Sequence, residues 1–154
     1  VLLPLHFAGH FVYGGANLRQ IVDYALVVKN ANLNSDTNQI DWERVKALAI
    51  EGGYFKFLCC LNGICIDHVG IPSDCFPDWQ RYKDIEERMQ AEVLNPTFVD
   101  VHSLPSKIKR YFKNRWKYQL VYSKESHLMG FLLRIRSWVN WKWGKKSVWN
   151  RSDL

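Results

Sequence analysis

The sequence of residues 54–69 is YFKFLCCLNGICIDHV. Apolar side chains recur every three or four residues along this segment, which is typical of an α-helix. They also cover most of the circumference of such a helix, and a helix that is apolar on nearly all sides is normally buried. We therefore predict a helix over 54–69 at the centre of the core. The residues that form its apolar surface are Phe55, Leu58, Cys59, Leu61, Ile64, Cys65 and Val69.

Helical periodicity on both sides of this segment predicts an all-α protein, an irregular bundle of about six to seven helices. Asp41 is a candidate N-cap for a helix over 42–51, in which Val45, Leu48 and Ala49 face inward. The polar run 30–39 is predicted to be a loop, and residues 97–102 a short extended segment. The other helices are predicted over 5–13, 18–29 and 83–94, with one starting at 104–106 and a last one over 124–143.

Charge divides the chain into two parts. Residues 1–104 carry 8 basic and 13 acidic side chains, a net charge of −5, whereas residues 105–154 carry 13 basic and 2 acidic ones, a net charge of +11. The second part also holds 10 of the 22 aromatic residues. We therefore predict an acidic helical domain over 1–104 and a basic, aromatic-rich helical extension over 105–154 that packs on it.

A basic, aromatic extension favours anionic partners. These are a nucleic acid, an anionic membrane surface that meets the last predicted helix, or the acidic domain of the chain itself. No apolar run reaches the length of about 18 residues that a membrane-spanning helix requires. The candidate residues for an anionic partner are Lys109, Arg110, Lys113, Arg115 and Lys117.

No metal site and no catalytic nucleophile is predicted. His6 and His10 are four residues apart on one helix, which supplies half of a zinc site, but no third ligand lies near them in sequence. The cysteines form no C-x-x-C pair, and free cysteines are commonly buried as small apolar residues. One packed histidine, one capping histidine and core-filling cysteines are therefore the preferred interpretation.

The glycine pair at 14–15, followed by Asp23, invites comparison with nucleotidyltransferases, which follow a glycine turn with paired acids on a strand. Here the second acid is missing and Asp23 falls within a predicted helix, so the segment cannot hold two metal ions. Arg19 and Asp23 are four residues apart, which also permits a simple intrahelical ion pair. Arginine is well suited to phosphate, so the alternative is that Arg19 faces an anion.

Residues 6–26, HFAGHFVYGGANLRQIVDYAL, resemble the uncharacterised nucleotidyltransferase family common in Bacteroidetes. The resemblance extends through an Ile-Asp-Trp helix start at 40–42 and a Gly-Ile-Pro segment at 70–72. It covers residues 3 to about 95 and is plausible to about 145. In that family the metal-binding acids belong to an N-terminal catalytic lobe, and this chain resembles the helical region that follows it.

The resemblance implies a substrate-side helical region of a cytoplasmic transferase, without catalytic residues of its own. His10, Arg19 and Asp23 are then candidates to line the nucleotide cleft, with Arg19 directed toward phosphate. The implied partners are the N-terminal catalytic lobe, a nucleoside triphosphate and an unknown acceptor. Magnesium is expected only with that lobe, and we expect no nucleotidyl transfer from this chain alone.

Overall fold

The computed structural model describes residues 2–13, 16–33, 40–95 and 104–124, and these residues form an all-α fold. They contain six α-helices and no β-strand, which confirms the predicted fold class. No helix among them is long and apolar enough to cross a membrane. The helices are α1 (Leu2–Tyr13), α2 (Leu18–Leu33), α3 (Trp42–Glu51), α4 (Phe55–Ile64), α5 (Lys83–Leu94) and α6 (Leu104–Val121).

Helix α4 lies at the centre of the core, as predicted. Every residue from 57 to 65 is buried, so this stretch presents no face to solvent. Helices α3, α5 and α6 pack against it. From α1, the rings of Phe7 and Phe11 lie 5.6 and 5.7 Å from the ring of Phe57.

The end of α4 differs from the predicted uniform α-helix. Residues Cys65–Val69 form a π-helical turn, in which each N–H reaches one residue further back along the chain than in an α-helix. The turn ends at Gly70, whose φ of 76° lies in the left-handed region that glycine adopts without strain. A short 3₁₀ turn, Ser73–Cys75, follows it.

Helix α2 begins with a reciprocal capping interaction. The Asn17 side chain accepts a hydrogen bond from the Gln20 backbone N–H at 3.2 Å, and the Gln20 side chain accepts one from the Asn17 N–H at 3.1 Å. One face of α2 then enters the core through Ile21, Tyr24, Ala25 and Val28.

A buried hydrogen bond joins α2 to α4. The Tyr24 hydroxyl donates to Oδ1 of Asn62 at 2.7 Å. Within the described residues, the Nδ2 of Asn62 is buried without a hydrogen-bond partner. The bond fixes α2 against the middle of α4, because a buried hydroxyl or amide that loses its partner costs free energy.

Two sequence predictions about individual segments were wrong. The loop predicted over 30–39 begins too early, because α2 continues to Leu33. Near this end of the helix, Asn32 Nδ2 donates to the carbonyls of Val28 and Cys75, at 2.9 and 3.0 Å. Leu48, predicted to face inward from α3, is 37% exposed, and only Ala49 of that helix is fully buried.

Helix α6 completes the described fold by packing on α1 and α4. Backbone contacts divide the chain into two units, Val1–Ser123 and Lys124–Leu154, and all six helices belong to the first. The domain boundary predicted from charge, after residue 104, falls at the start of α6 and stays a prediction. The extended segment predicted over 97–102 lies outside the described residues, and so does the last helix predicted over 124–143 from residue 125 onward.

Replacing Gly63 in α4 tests how closely α5 approaches this helix. An alanine Cβ at that position would lie 2.5 Å from the carboxylate carbon of Glu86, which is itself buried. We expect Gly63→Ala to lower the free energy of unfolding by about 1–3 kcal/mol, the usual cost of overpacking a core. Urea denaturation followed by circular dichroism measures it.

Gly9→Ala is the matched control, because Gly9 also lies within a helix but has nothing within 4 Å of an added Cβ. There we expect stabilisation of about 0.5–1 kcal/mol from the better helix propensity of alanine. Equal effects of the two substitutions would contradict the close approach of Glu86 to α4.

Candidate functional site

The residues expected to line a nucleotide cleft lie on α1 and α2. Arg19 and Asp23 are exposed on the first two turns of α2, and His10 is half-buried on α1. The rings of His6 and His10 meet edge to face, with centroids 4.5 Å apart. Among the described contacts, none brings His10 to Arg19 or Asp23, and the glycine pair at 14–15 lies outside the described residues.

The segment that carries the family resemblance divides into structural and exposed positions. Gln20 is used in the capping interaction, while Ile21, Tyr24 and Ala25 enter the core. Arg19 and Asp23 take no part in this packing, and no ion pair joins them within the described part of the chain. Their charged side chains are therefore not required to form α2.

The candidate residues for an anionic partner all lie on α6, but they do not form one surface. Lys109, Lys113 and Arg115 are exposed. Arg110 also belongs to α6, and its side chain lies outside the described residues. Lys117, in contrast, is only 1% exposed and does not reach the surface.

Lys117 holds α6 to its neighbours instead of contacting an external anion. Its Nζ lies 2.6 Å from Oε1 of Glu92 on α5, and it lies 5.2 Å from the centroid of the Phe11 ring on α1. A buried ammonium needs such a carboxylate, because an unpaired charge in the interior is costly. This packing removes Lys117 from the predicted basic surface.

A charged network that the sequence analysis did not anticipate joins the end of α4 to the start of α5. Arg81 lies at its centre and contacts two carboxylates, Asp67 at 2.6 Å and Glu86 at 2.5 Å. Lys83 also pairs with Asp67. Arg81 additionally donates to the carbonyl of Gly63, at 3.2 Å.

Glu86 is the most buried member of this network, with 3% of its surface exposed. Burial alone would raise the pKa of its carboxyl group, but hydrogen bonds from the Arg81 guanidinium and the Tyr82 backbone N–H outweigh that effect and hold the pKa below its ordinary value. At Asp67, hydrogen bonds from Lys83 and Arg81 lower the pKa of the carboxyl group. Both carboxylates are thus charged at neutral pH, and the network ties the π-helical turn to α5.

Two features of the sequence hinted at this network. Glu86, Met89 and Val93 share one face of α5, so the apolar face of this helix contains a carboxylate. Gly63 lies inside an apolar helix, where glycine is unfavourable unless another group needs the space. Neither feature identifies the arginine that neutralises the carboxylate, because that contact depends on the tertiary fold.

The arrangement offers no metal centre among the described residues, where no three His, Cys, Asp or Glu side chains are grouped suitably. Three of the cysteines, Cys59, Cys60 and Cys65, are buried. Burial raises the pKa of their thiols to about 11, 12 and 12, respectively. Thiols with such values are poor nucleophiles at neutral pH.

Comparison with known proteins finds no family model that matches the chain, no similar curated protein and no similar solved structure.

Removing the guanidinium at the centre of the network should change both stability and its pH dependence. We expect Arg81→Met to lower the free energy of unfolding at pH 7 by about 3 kcal/mol, because it leaves a buried carboxylate without its main partner. Lys83→Met is the control, since Lys83 is 58% exposed and its pairing contributes little. Urea denaturation between pH 3 and pH 7 measures both.

The direction in which stability changes with pH shows whether the Glu86 carboxylate is paired with Arg81 or buried without it. The native fold holds the pKa values of Glu86 and Asp67 below the ordinary 4.5 and 3.8, so wild-type stability falls as the pH drops through that range. In Arg81→Met, burial raises the pKa of Glu86, so stability should rise as the pH falls from 7 to 5. A parallel pH profile in both proteins would contradict the proposed pairing.

Thiol reactivity checks the placement of the cysteines. Cys75 is half-buried, whereas the other three are buried. With an aromatic disulfide reagent at pH 8, we expect one thiol to react in the native protein and four after unfolding. Burial and the neighbouring Asp74 raise the pKa of Cys75, so its reaction should be slower than that of free cysteine. Cys75→Ser should abolish the native reaction; rapid labelling of several thiols would contradict this packing.

Proposed function

We propose that this chain is the helical, substrate-side region of a cytoplasmic nucleotidyltransferase, whose metal-binding catalytic lobe is not among these residues. The resemblance of residues 6–26 to that family suggests this function. The observation that carries it is the exposure of two charged residues, Arg19 and Asp23, which take part neither in the cap at Gln20 nor in the buried face of α2.

The position of Arg19 suits a phosphate group. It lies in the first turn of α2, where the unpaired backbone N–H groups and the helix dipole favour negative charge. Its guanidinium adds donors that match the geometry of phosphate oxygens. Asp23 lies one turn further along the same helix, and His10 lies on the preceding one. We assign Arg19 to the phosphates and the other two residues to the wall of the cleft.

The proposed division of labour places magnesium with the catalytic lobe. A pair of acidic ligands is what aligns a triphosphate on two metal ions, and Asp23 is a single carboxylate on a helix. This chain would therefore contribute to nucleotide binding and acceptor choice, and we expect it to catalyse no transfer by itself. The nucleotide and the acceptor are not specified by these residues.

Residue-resolved titration of the chain with ATP tests the assignment. In ¹⁵N-labelled protein, we expect millimolar ATP to shift the amide signals of residues 17–23 and the signals of His10, with weak affinity because the catalytic lobe is absent. Arg19→Gln should reduce these shifts at least several-fold, since a charge-assisted bond to phosphate is lost.

Arg44→Gln is the matched control, because Arg44 is an exposed arginine in the first turn of another helix, α3. It should leave the ATP shifts unchanged. The assignment of Arg19 fails if the two variants behave alike, or if ATP shifts no residue of α2.

The exposed part of α6 supports a second candidate function, the binding of nucleic acid. Phe112 is 61% exposed and lies among the exposed cations Lys109, Lys113 and Arg115. Exposed aromatic rings and cations are the combination that single-stranded nucleic acids use for stacking and phosphate contacts. A short oligonucleotide that shifts α6 signals at low salt, while ATP leaves α2 unchanged, would favour this function over the first. An anionic membrane remains the alternative for residues 124–143, outside the described part of the chain.

A further inference from the structure

A cavity of about 180 Å³ lies where α4, α5 and α6 meet, and it shares no residue with the proposed nucleotide cleft. Ile85, Trp116 and Leu120 make one part of its wall apolar. Lys56 and Arg88 place two positive charges beside that wall, and no acidic residue lines the cavity. Gln119 is its remaining lining residue.

Both cations are held by aromatic rings and not by carboxylates. The Nζ of Lys56 lies 4.6 Å from the centroid of the Tyr82 ring. The guanidinium carbon of Arg88 lies 4.1 Å from the centroid of the Trp116 ring. A cation on a ring face is positioned without being neutralised, so it keeps its charge and its N–H donors for another ligand.

Three nearby cations differ from Lys56 and Arg88 in having carboxylate partners. Arg81, Lys83 and Lys117 each pair with a carboxylate of Asp67, Glu86 or Glu92. Within the described residues, neither Lys56 nor Arg88 has a carboxylate at ion-pair distance. Two positive charges without a carboxylate partner therefore lie side by side at the cavity.

The apolar wall is also fixed in place. The rings of Trp116 and of Phe11 on α1 meet edge to face, with centroids 5.5 Å apart, and Leu120 is buried. An apolar cavity of about 150 Å³ accommodates a single benzene ring, so this one has space for a similar group.

We propose that this cavity binds a small amphipathic anion, with one carboxylate or phosphate group on an apolar body about the size of one aromatic ring. The anionic group contacts Lys56 and Arg88, and the apolar body covers Ile85, Trp116 and Leu120. A bare phosphate would leave the apolar wall in water, and a neutral ring would leave both charges without a counter-ion. A ligand that carries both parts therefore fits better than either part alone.

Four simple probes test the proposal on the ¹⁵N-labelled chain: phenyl phosphate, benzoate, inorganic phosphate and benzyl alcohol. We expect phenyl phosphate or benzoate to cause saturable shifts of the Trp116 indole N–H and the Arg88 and Gln119 amides. The better of the two should bind at least about ten-fold more tightly than inorganic phosphate or benzyl alcohol. Whichever anion binds more tightly identifies phosphate or carboxylate as the natural group, and either result supports the proposal.

Charge-removing variants identify the side chains that hold the anion. Arg88→Gln and Lys56→Gln should each weaken binding of the better probe at least about five-fold, whereas Arg44→Gln on α3 should not change it. Both side chains are exposed, and each substitution removes one contact with an aromatic ring, so the amide spectrum of each variant is used to verify its fold.

Three results would overturn the proposal. The first is an affinity for inorganic phosphate equal to that for the better probe, and the second is an equal effect of Arg88→Gln and Arg44→Gln. The third is a short single-stranded oligonucleotide that shifts Trp116 when no small probe does. The last result would assign this face to nucleic acid. Because the shifts are assigned residue by residue, failure here is distinct from failure of the ATP experiment, which concerns α1 and α2.

Discussion

The burial of α4 on all sides constrains every other element of this fold. Each helix that packs on it must offer an apolar face, and wherever a polar group approaches, its hydrogen bonds must be satisfied locally. Glu86 meets this requirement in the space left by Gly63, with its carboxylate held by Arg81 and the Tyr82 N–H. Tyr24 meets it through Asn62. These two contacts hold α5 and α2 to α4, whereas the buried Lys117 of α6 pairs with Glu92 of α5.

The sequence predicted the parts of this structure that depend on local interactions. The bounds of α3 and α5 follow from apolar spacing, and the N-cap at Asp41 is confirmed by its hydrogen bond from the Arg44 N–H, at 2.9 Å. The central position of α4 followed from its apolar circumference. Predictions failed where a contact with a distant residue was involved. The end of α2 is an example, because the helix continues to Leu33 and the Asn32 side chain near its end donates to the carbonyl of Cys75.

At the candidate sites, too, the sequence predicted local features but not contacts between residues far apart in the chain. The sequence offered five basic residues of α6 as candidates for an anionic partner, but it could not show that Lys117 turns inward to Glu92 while Lys109, Lys113 and Arg115 face solvent. Nor could it identify the cavity beside Trp116, because the lining residues come from three helices far apart in sequence. The family resemblance around Arg19 stays a prediction, and the structure adds that Asn17 and Gln20 cap α2 while Ile21, Tyr24 and Ala25 enter the core.

The π-helical turn at Cys65–Val69 also sets the direction in which Asp67 leaves the helix axis. A π turn contains one residue more than an α turn, so successive side chains in it are separated by a smaller angle than the about 100° of an α-helix. Asp67 lies inside this turn, and its carboxylate there meets Arg81 at 2.6 Å. The extra residue is therefore what directs this carboxylate toward the start of α5.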